Sequence, residues 1–116
     1  MIRGTGTDII EIKRIENACQ NKDFIEKIYT EDEINEYMGR NENISYLAGR
    51  FAAKEAVSKA LGTGMIGISF KDIEILSDSY GKPFVNLKKD MGNIKIHISI
   101  SHSKENAIAL CVIEED

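Results

Sequence analysis

The sequence contains no tryptophan, a single proline, Pro83, and only two cysteines, Cys19 and Cys111, among 116 residues. One proline leaves most of the chain free to form uninterrupted helices and strands, and it excludes a proline-rich linker. Two distant cysteines cannot build a disulfide framework or a cysteine metal cluster, so buried thiols in a reducing compartment are expected. No apolar run approaches the roughly 20 residues that span a bilayer. The opening residues, which alternate Ile, Arg, Gly and Thr, do not resemble a signal peptide, so the expectation is a soluble cytoplasmic protein without membrane contact. A basic excess is also missing: 15 Lys and Arg face 19 Asp and Glu, for a formal charge of −4. That balance argues against a general nucleic-acid binder, although a few local groups can still hold an anion. Without repeats or low-complexity segments, residues 1–116 read as one domain.

What is present centres on FAAKEAVSKALGTG, Phe51 to Gly64. Its alanines favour a helix, which the spacing places from about Ile44 to Leu61, capped by Asn43 or Ser45 and stopped at Gly62. Ala53, Ala56, Val57, Ala60 and Leu61 point toward a core. Glu55 and Lys59 are four residues apart and share another face, where Ala48 and Ala52 leave a thin, open strip. A carboxylate and an ammonium on a rigid element beside such a strip suit a metal-bound phosphate. The same spacing also describes an ordinary surface pair worth only about 0.2 to 0.5 kcal/mol.

Ile2 to Ile12 begins as a strand in which Gly4 and Gly6 allow close backbone approach. Asp8 is placed where strand gives way to helix, and it reads either as a helix N-cap or as a hard oxygen ligand. From Ile12 to about Gln20 the pattern is a short amphipathic helix, with Lys13 and Arg14 on its polar side. These cations on an acidic chain suit a docking face for an acidic partner. A second short turn surrounds Phe24, Ile25 and Ile28, and Thr30 with Glu33 forms a capping box for a third helix that ends near Gly39.

The period changes after Leu61. GTGMIGIS, Gly62 to Ser69, is glycine-rich and reads either as a phosphate-lining loop or as a connection, but it lacks the spacing of a P-loop. Asp72 to Leu76 and Pro83 to Leu87 alternate as strands across a turn. Ile94, Ile96, Ile98 and Ile100 then line one face of a longer strand, which pairs with Asn106 to Ile113. Helices followed by a meander of strands, with the first strand free to join, make an α+β fold of helices packed on an antiparallel β-sheet. His97 reads as structural or solvent-facing. His102 lies at a strand end between Ser101 and Ser103, where hydroxyls, backbone NH groups and an imidazole could receive a phosphate oxygen.

Four segments together carry a family resemblance: GTDIIEI at Gly6 to Ile12, GRFAAKEAVSKALGTG at Gly49 to Gly64, DIEIL followed by GKPFV at Gly81 to Val85, and SISHSKENAIA at Ser99 to Ala109. In order and spacing the chain resembles the holo-acyl carrier protein synthases, the small bacterial group of phosphopantetheinyl transferases. The resemblance implies a magnesium-dependent transfer of the phosphopantetheine arm of coenzyme A to a serine of apo acyl carrier protein, with release of adenosine bisphosphate. It implies Asp8 and Glu55 as metal ligands, Lys59 facing the pyrophosphate, and Ser101 and His102 contacting coenzyme A phosphates. Arg50 and Pro83 match positions lining the nucleotide pocket. Phe51 stands where the wider superfamily often has Trp. A homotrimer with sites between neighbouring subunits is further implied, so that His102 would serve the Asp8 and Glu55 of the next chain.

The chemistry of these residue types agrees with that implication. Phosphoryl-type transfer needs positioning and relief of negative charge, and Mg²⁺ accepts two carboxylates together with waters and phosphate oxygens. Either Glu55 or a metal-bound water can take the serine proton. Two other functions use the same residues: a non-catalytic coenzyme A or nucleotide-binding module, and a magnesium-dependent pyrophosphate hydrolase.

Overall fold

The computed structural model describes residues 1–62 and 66–116. Its organising element is α4, Ile44–Leu61, an 18-residue helix whose N-cap Asn43 accepts a hydrogen bond from the Ser45 backbone NH. Gly62 follows with φ of 57°, a conformation that favours glycine and ends the helix. The glycine-rich stretch expected to line a phosphate falls partly on residues 63–65, outside the described residues.

Three shorter helices precede α4: α1, Ile12–Ala18; α2, Lys22–Ile28; and α3, Glu31–Gly39. The expected capping box at the start of α3 is present, because Thr30 Oγ1 accepts from the Glu33 NH and Glu33 Oε1 accepts from the Thr30 NH.

The strands form two sheets where one meander was expected. β1, Ile2–Glu11, pairs antiparallel with β5, Asn106–Glu115, which pairs antiparallel with β4, Ile94–His102. β2, Ile73–Ser77, and β3, Pro83–Leu87, make a separate hairpin. β3 and β4 lie side by side without ladder hydrogen bonds. Residues 88–93 between them, with Gly92 at φ of 87°, are longer than the two-residue turns that impose a hairpin register.

One face of the three-stranded sheet packs on α4. Ala52, Ala53, Ala56, Val57 and Leu61 meet Ile98, Ala109, Cys111 and Ile113 in one hydrophobic cluster, while Ile12, Ile15, Tyr29 and Leu47 belong to a second. Alternation along the strands turns the other face to solvent. There Ile9 pairs with Ile108 and Thr7 with Leu110, and the three apolar side chains are 63%, 45% and 48% exposed.

The strip beside Glu55 is not open. Ala48 and Ala52 are completely buried within the same chain. The small residues of α4 instead admit the chain's own first strand. A Cβ added to Gly6 would press into the carbonyl of Ala56 and lie 2.9 Å from the Ala60 nitrogen, and one added to Gly4 would meet the carbonyl of Ala60. Backbone thus packs on backbone, which requires glycine on one side and alanine on the other.

Candidate active site

The contact of β1 with α4 decides where Asp8 lies. β1 remains a strand to Glu11, and the N-cap of α1 is Glu11 with no side-chain cap bond. Asp8 therefore caps nothing. It sits in mid-strand, opposite Ala109, on the helix-facing side shared with Gly6.

That position brings Asp8 to α4. Lys59 Nζ donates to the Thr7 carbonyl at 2.9 Å and to Asp8 Oδ1 at 3.3 Å. One turn earlier, the half-buried Glu55 has its pKa raised by burial and then by the negative charge of Asp8, against the opposing effect of Lys59. Asp8, Glu55 and Lys59 thus lie together, two carboxylates close enough to feel each other with an ammonium between strand and helix. A divalent cation would relieve their repulsion. Among the described residues no third His, Cys, Asp or Glu completes a metal cluster. Two carboxylates are hard oxygen donors of the kind that could hold a cation such as Mg²⁺, which takes few protein ligands and keeps positions for water and phosphate oxygens.

The remaining site residues divide. His102 faces α4, but near its start: Nε2 lies 2.9 Å from the Ser45 carbonyl, and a Cβ on Gly49 would come within 2.7 Å of it. From Ser45 to Lys59 the helix rises about 21 Å at 1.5 Å per residue. Within one chain, therefore, His102 and the Asp8–Lys59 pair occupy opposite ends of α4. The expected convergence of hydroxyls on this histidine does not occur. Ser101 alternates onto the other face of β4 opposite Ile108, and Ser103 Oγ accepts from the Asn106 NH in the turn.

Arg50 is 5% exposed and stacks on the Tyr46 ring with its guanidinium carbon 4.1 Å from the ring centre. It donates to the Ile75 carbonyl at 3.3 Å and to Ser77 Oγ at 2.6 Å. The guanidinium thus fastens α4 to β2. Pro83 begins β3 opposite Ser77 and lines a depression of about 260 Å³ with Asp78, Lys82, Phe84, Ile96 and His97. Phe51 packs between Phe24 and Phe70, with ring centres 6.1 and 5.9 Å away. On α1, Lys13 Nζ is held by Glu16 at 2.8 Å, while Arg14 is exposed with no ion pair among the described residues. His97 pairs with Glu114 at 2.6 Å on the outer sheet face.

The sequence reading missed Lys54 and Glu33, both fully buried, whose Nζ and Oε1 atoms lie 2.8 Å apart. A signal for Lys54 was available. Leu47, Arg50, Lys54, Val57 and Leu61 recur at steps of three and four, so both cations fall on the apolar stripe of α4. Glu33 hides in its role as a capping residue.

Comparisons with known proteins identify the family and the fold. The model of the 4'-phosphopantetheinyl transferase superfamily matches residues 4–111. The chain is 52% identical to the holo-[acyl-carrier-protein] synthase of Clostridium perfringens strain 13, covering 98% of this chain and 95% of that one. The crystal structure of the holo-(acyl-carrier-protein) synthase of Bacillus anthracis, in complex with CoA (3',5'-ADP), is 46% identical and superimposes with a TM-score of 0.87 over 100% of this chain and 99% of that one. The Neisseria meningitidis synthase superimposes with a TM-score of 0.89 at 36% identity, covering 99% of this chain and all of that one. The chain belongs to the 4'-phosphopantetheinyl transferase superfamily and, within it, to the holo-acyl carrier protein synthases.

Proposed function

We propose that this enzyme moves the 4'-phosphopantetheine group of coenzyme A to a serine hydroxyl of apo acyl carrier protein, with Mg²⁺ held by Asp8 and Glu55, and releases adenosine 3',5'-bisphosphate. The observation that carries this reading is the convergence of Asp8, Glu55 and Lys59 at one end of α4. The serine oxygen attacks the phosphorus that bears pantetheine, the bond from that phosphorus to the bridging oxygen breaks, and the electron pair leaves on the adenosine 5'-phosphate. Bound Mg²⁺ would supply Lewis-acid relief of the charge on the phosphate oxygens. Lys59, with a side chain 54% exposed, is free to turn from Asp8 toward an oxygen that the metal does not reach. The serine proton passes to Glu55 or to a water beside it.

The site is completed by a neighbour in this reading. His102 lies too far along α4 to serve its own Asp8, and the exposed Ile9, Ile108 and Leu110 on the outer sheet face support self-association as a homotrimer. Coenzyme A then spans Lys59 of one chain and His102 of another, with its nucleotide end toward the Pro83 depression. Arg50 supports that region by tying α4 to Ser77. Arg14 on α1 meets an acidic face of the carrier. A cytoplasmic location agrees with the absence, among the described residues, of any helix long and apolar enough to cross a membrane.

The test is a Mg²⁺ titration in which holo-carrier and released nucleotide are quantified together. Equal amounts of holo-carrier and adenosine 3',5'-bisphosphate, rising with Mg²⁺, support the reaction as written. Nucleotide release without carrier modification overturns it in favour of hydrolysis.

A further inference from the structure

Lys54 is the one ammonium completely removed from solvent among the described residues, and it is adjacent in sequence to Glu55. All three of its protons are used. It donates to Glu33 Oε1 at 2.8 Å, to the Phe70 carbonyl at 2.9 Å and to the Ile73 carbonyl at 2.7 Å. These acceptors come from α3 and from the entry to β2. Glu33 is equally constrained, because its other oxygen accepts from the Ile75 NH at 2.8 Å and Oε1 also accepts from the Thr30 NH. One side chain of α4 is therefore fastened to two separate walls of the fold.

A hydrophobic residue of this length would fill the same space without desolvating a charge. Replacing a buried ion pair by well-packed apolar groups is often neutral or stabilising, so stability alone gives no reason for the pair. Direction does. Where α4 meets β1, Gly4 and Gly6 lie against backbone atoms and have no side chain to resist rolling of the helix, and the bonds of Lys59 to Thr7 and Asp8 across this contact come from a half-exposed side chain. Three hydrogen bonds of fixed geometry from one ammonium do resist it.

We propose that Lys54 is a positioning residue for the transfer reaction: its buried contacts with Glu33, Phe70 and Ile73 fix the roll of α4 and thereby aim Glu55 and Lys59 at the reacting phosphate. The proposal rests on the reading of Glu55 and Lys59 as the reacting end of α4. Successive residues are separated by about 100° around the helix, so Glu55 turns rigidly with Lys54. At a side-chain radius of about 6 Å, a roll of about 10° carries the Glu55 carboxylate about 1 Å relative to Asp8. A misplacement of about 1 Å costs on the order of a hundredfold in rate. The Lys54–Glu33 pair thus couples the hairpin that begins with β2 to Glu55 on α4, which among the described residues are otherwise linked through apolar packing and the Arg50 hydrogen bonds.

The test compares Lys54→Gln with Val57→Ala, a core truncation on the same helix that leaves the ion pair intact. Each is assayed with coenzyme A, Mg²⁺ and apo acyl carrier protein, well below its own melting temperature. Lys54→Gln is expected to lower kcat by about ten- to a hundredfold, with the KM for coenzyme A changed by less than about threefold, while Val57→Ala keeps kcat within about twofold. Added to Glu55→Gln, the Lys54→Gln change should cost less than it does in the wild-type background, because the part of its effect that acts through Glu55 is already lost and only the part through Lys59 remains. A crystal structure of Lys54→Gln supplies the arm independent of activity: Glu55 shifted by about 1 Å from its place against Asp8 is the expected result. Equal kcat in the two single variants, or Glu55 unmoved in that structure, overturns the proposal. If Lys54→Gln does not fold, Glu33→Leu combined with Lys54→Met removes the hydrogen bonds without leaving a buried unpaired charge and is judged by the same results. An inactive wild-type enzyme overturns the proposed function instead, and the position of Glu55 in the variant structure still decides the role of Lys54.

Discussion

Lys59 on α4 and Asp8 on β1 meet at 3.3 Å although 51 residues separate them in sequence. The meeting is made by the backbone contact beneath it, where Gly6 lies against Ala56 and Ala60. The groups proposed to react are therefore placed by residues that carry no chemistry themselves.

Removal of either carboxylate should disable the reaction more than the fold. Asp8→Asn and Glu55→Gln are each expected to lower kcat/KM by about a hundredfold or more, since a metal's charge relief is worth several kcal/mol and each 1.4 kcal/mol is about tenfold. Their melting temperatures should stay close to wild type, because the Asp8–Lys59 pair is exposed on the lysine side and such pairs contribute about 0 to 1 kcal/mol. Steady-state kinetics across Mg²⁺ concentrations, paired with thermal unfolding, checks both statements.

Gly6→Ala should do the opposite, striking fold and function together. Its Cβ has no space against the Ala56 carbonyl, so β1 must retreat from α4 and carry Asp8 away from Glu55. Denaturant unfolding is expected to show a loss of about 1 to 3 kcal/mol, typical of overpacking. Gly39→Ala, where an added Cβ meets nothing within 4 Å, is the matched control and should keep wild-type stability.

The acid limb of stability should include Glu74. This carboxylate is 1% exposed, and burial alone would raise its pKa. Hydrogen bonds from Thr30 Oγ1 at 2.5 Å and Asn86 Nδ2 at 3.0 Å, together with Lys88 Nζ at 2.9 Å, outweigh burial and hold it below the usual carboxylate range. A lowered folded-state pKa stabilises above the unfolded value, about 4.3, and that stability disappears as pH falls through the folded value. Unfolding free energy should thus be nearly level from pH 7 to 5 in this contribution and decline below about pH 4.3. Glu74→Gln should show a shallower decline than wild type; identical slopes would remove Glu74 from the explanation.

Site sharing predicts recovery between two inactive chains. Glu55→Gln and His102→Ala proteins, mixed and allowed to exchange subunits, should regain activity because some mixed sites combine an intact Glu55 with an intact His102 from its neighbour. No recovery after mass spectrometry has shown mixed assemblies would place both residues in the service of one chain.

Arg14 should report on the carrier alone. Arg14→Glu is expected to raise the KM for acyl carrier protein by about tenfold or more, as reversed charge opposes an acidic surface, and to leave coenzyme A binding by calorimetry unchanged. Lys13→Glu should act less, since Glu16 already holds Lys13 at 2.8 Å.

The helices and strands were legible because their periods and caps are local. Thr30 and Glu33 announce α3, Asn43 and Gly62 bracket α4, and Ile94 to Ile100 alternate as β4 does. Pairings across the fold were less so. Nothing local in Ala48 or Ala52 distinguishes a strip covered by the chain's own packing from one left for a ligand, and the separation of β3 from β4 depends on the path of residues 88–93. Alternation did contain the division of Ser101 from His102, since neighbours on a strand face opposite ways. Asp8, Glu55 and Lys59 could be named through their motifs, but their meeting depends on Gly6. The burial of Lys54 is legible only when its place on the apolar stripe of α4 is counted.

The most direct test is the intact mass of apo acyl carrier protein after incubation with the enzyme, coenzyme A and Mg²⁺, alongside the same mixture containing Glu55→Gln. Wild-type enzyme should convert the carrier to a single species heavier by one phosphopantetheine group on its serine, and the variant should leave it unchanged over the same time. A carrier modified equally by both proteins would contradict the assignment of the reacting site to Asp8, Glu55 and Lys59, and a carrier modified by neither would contradict the transfer itself.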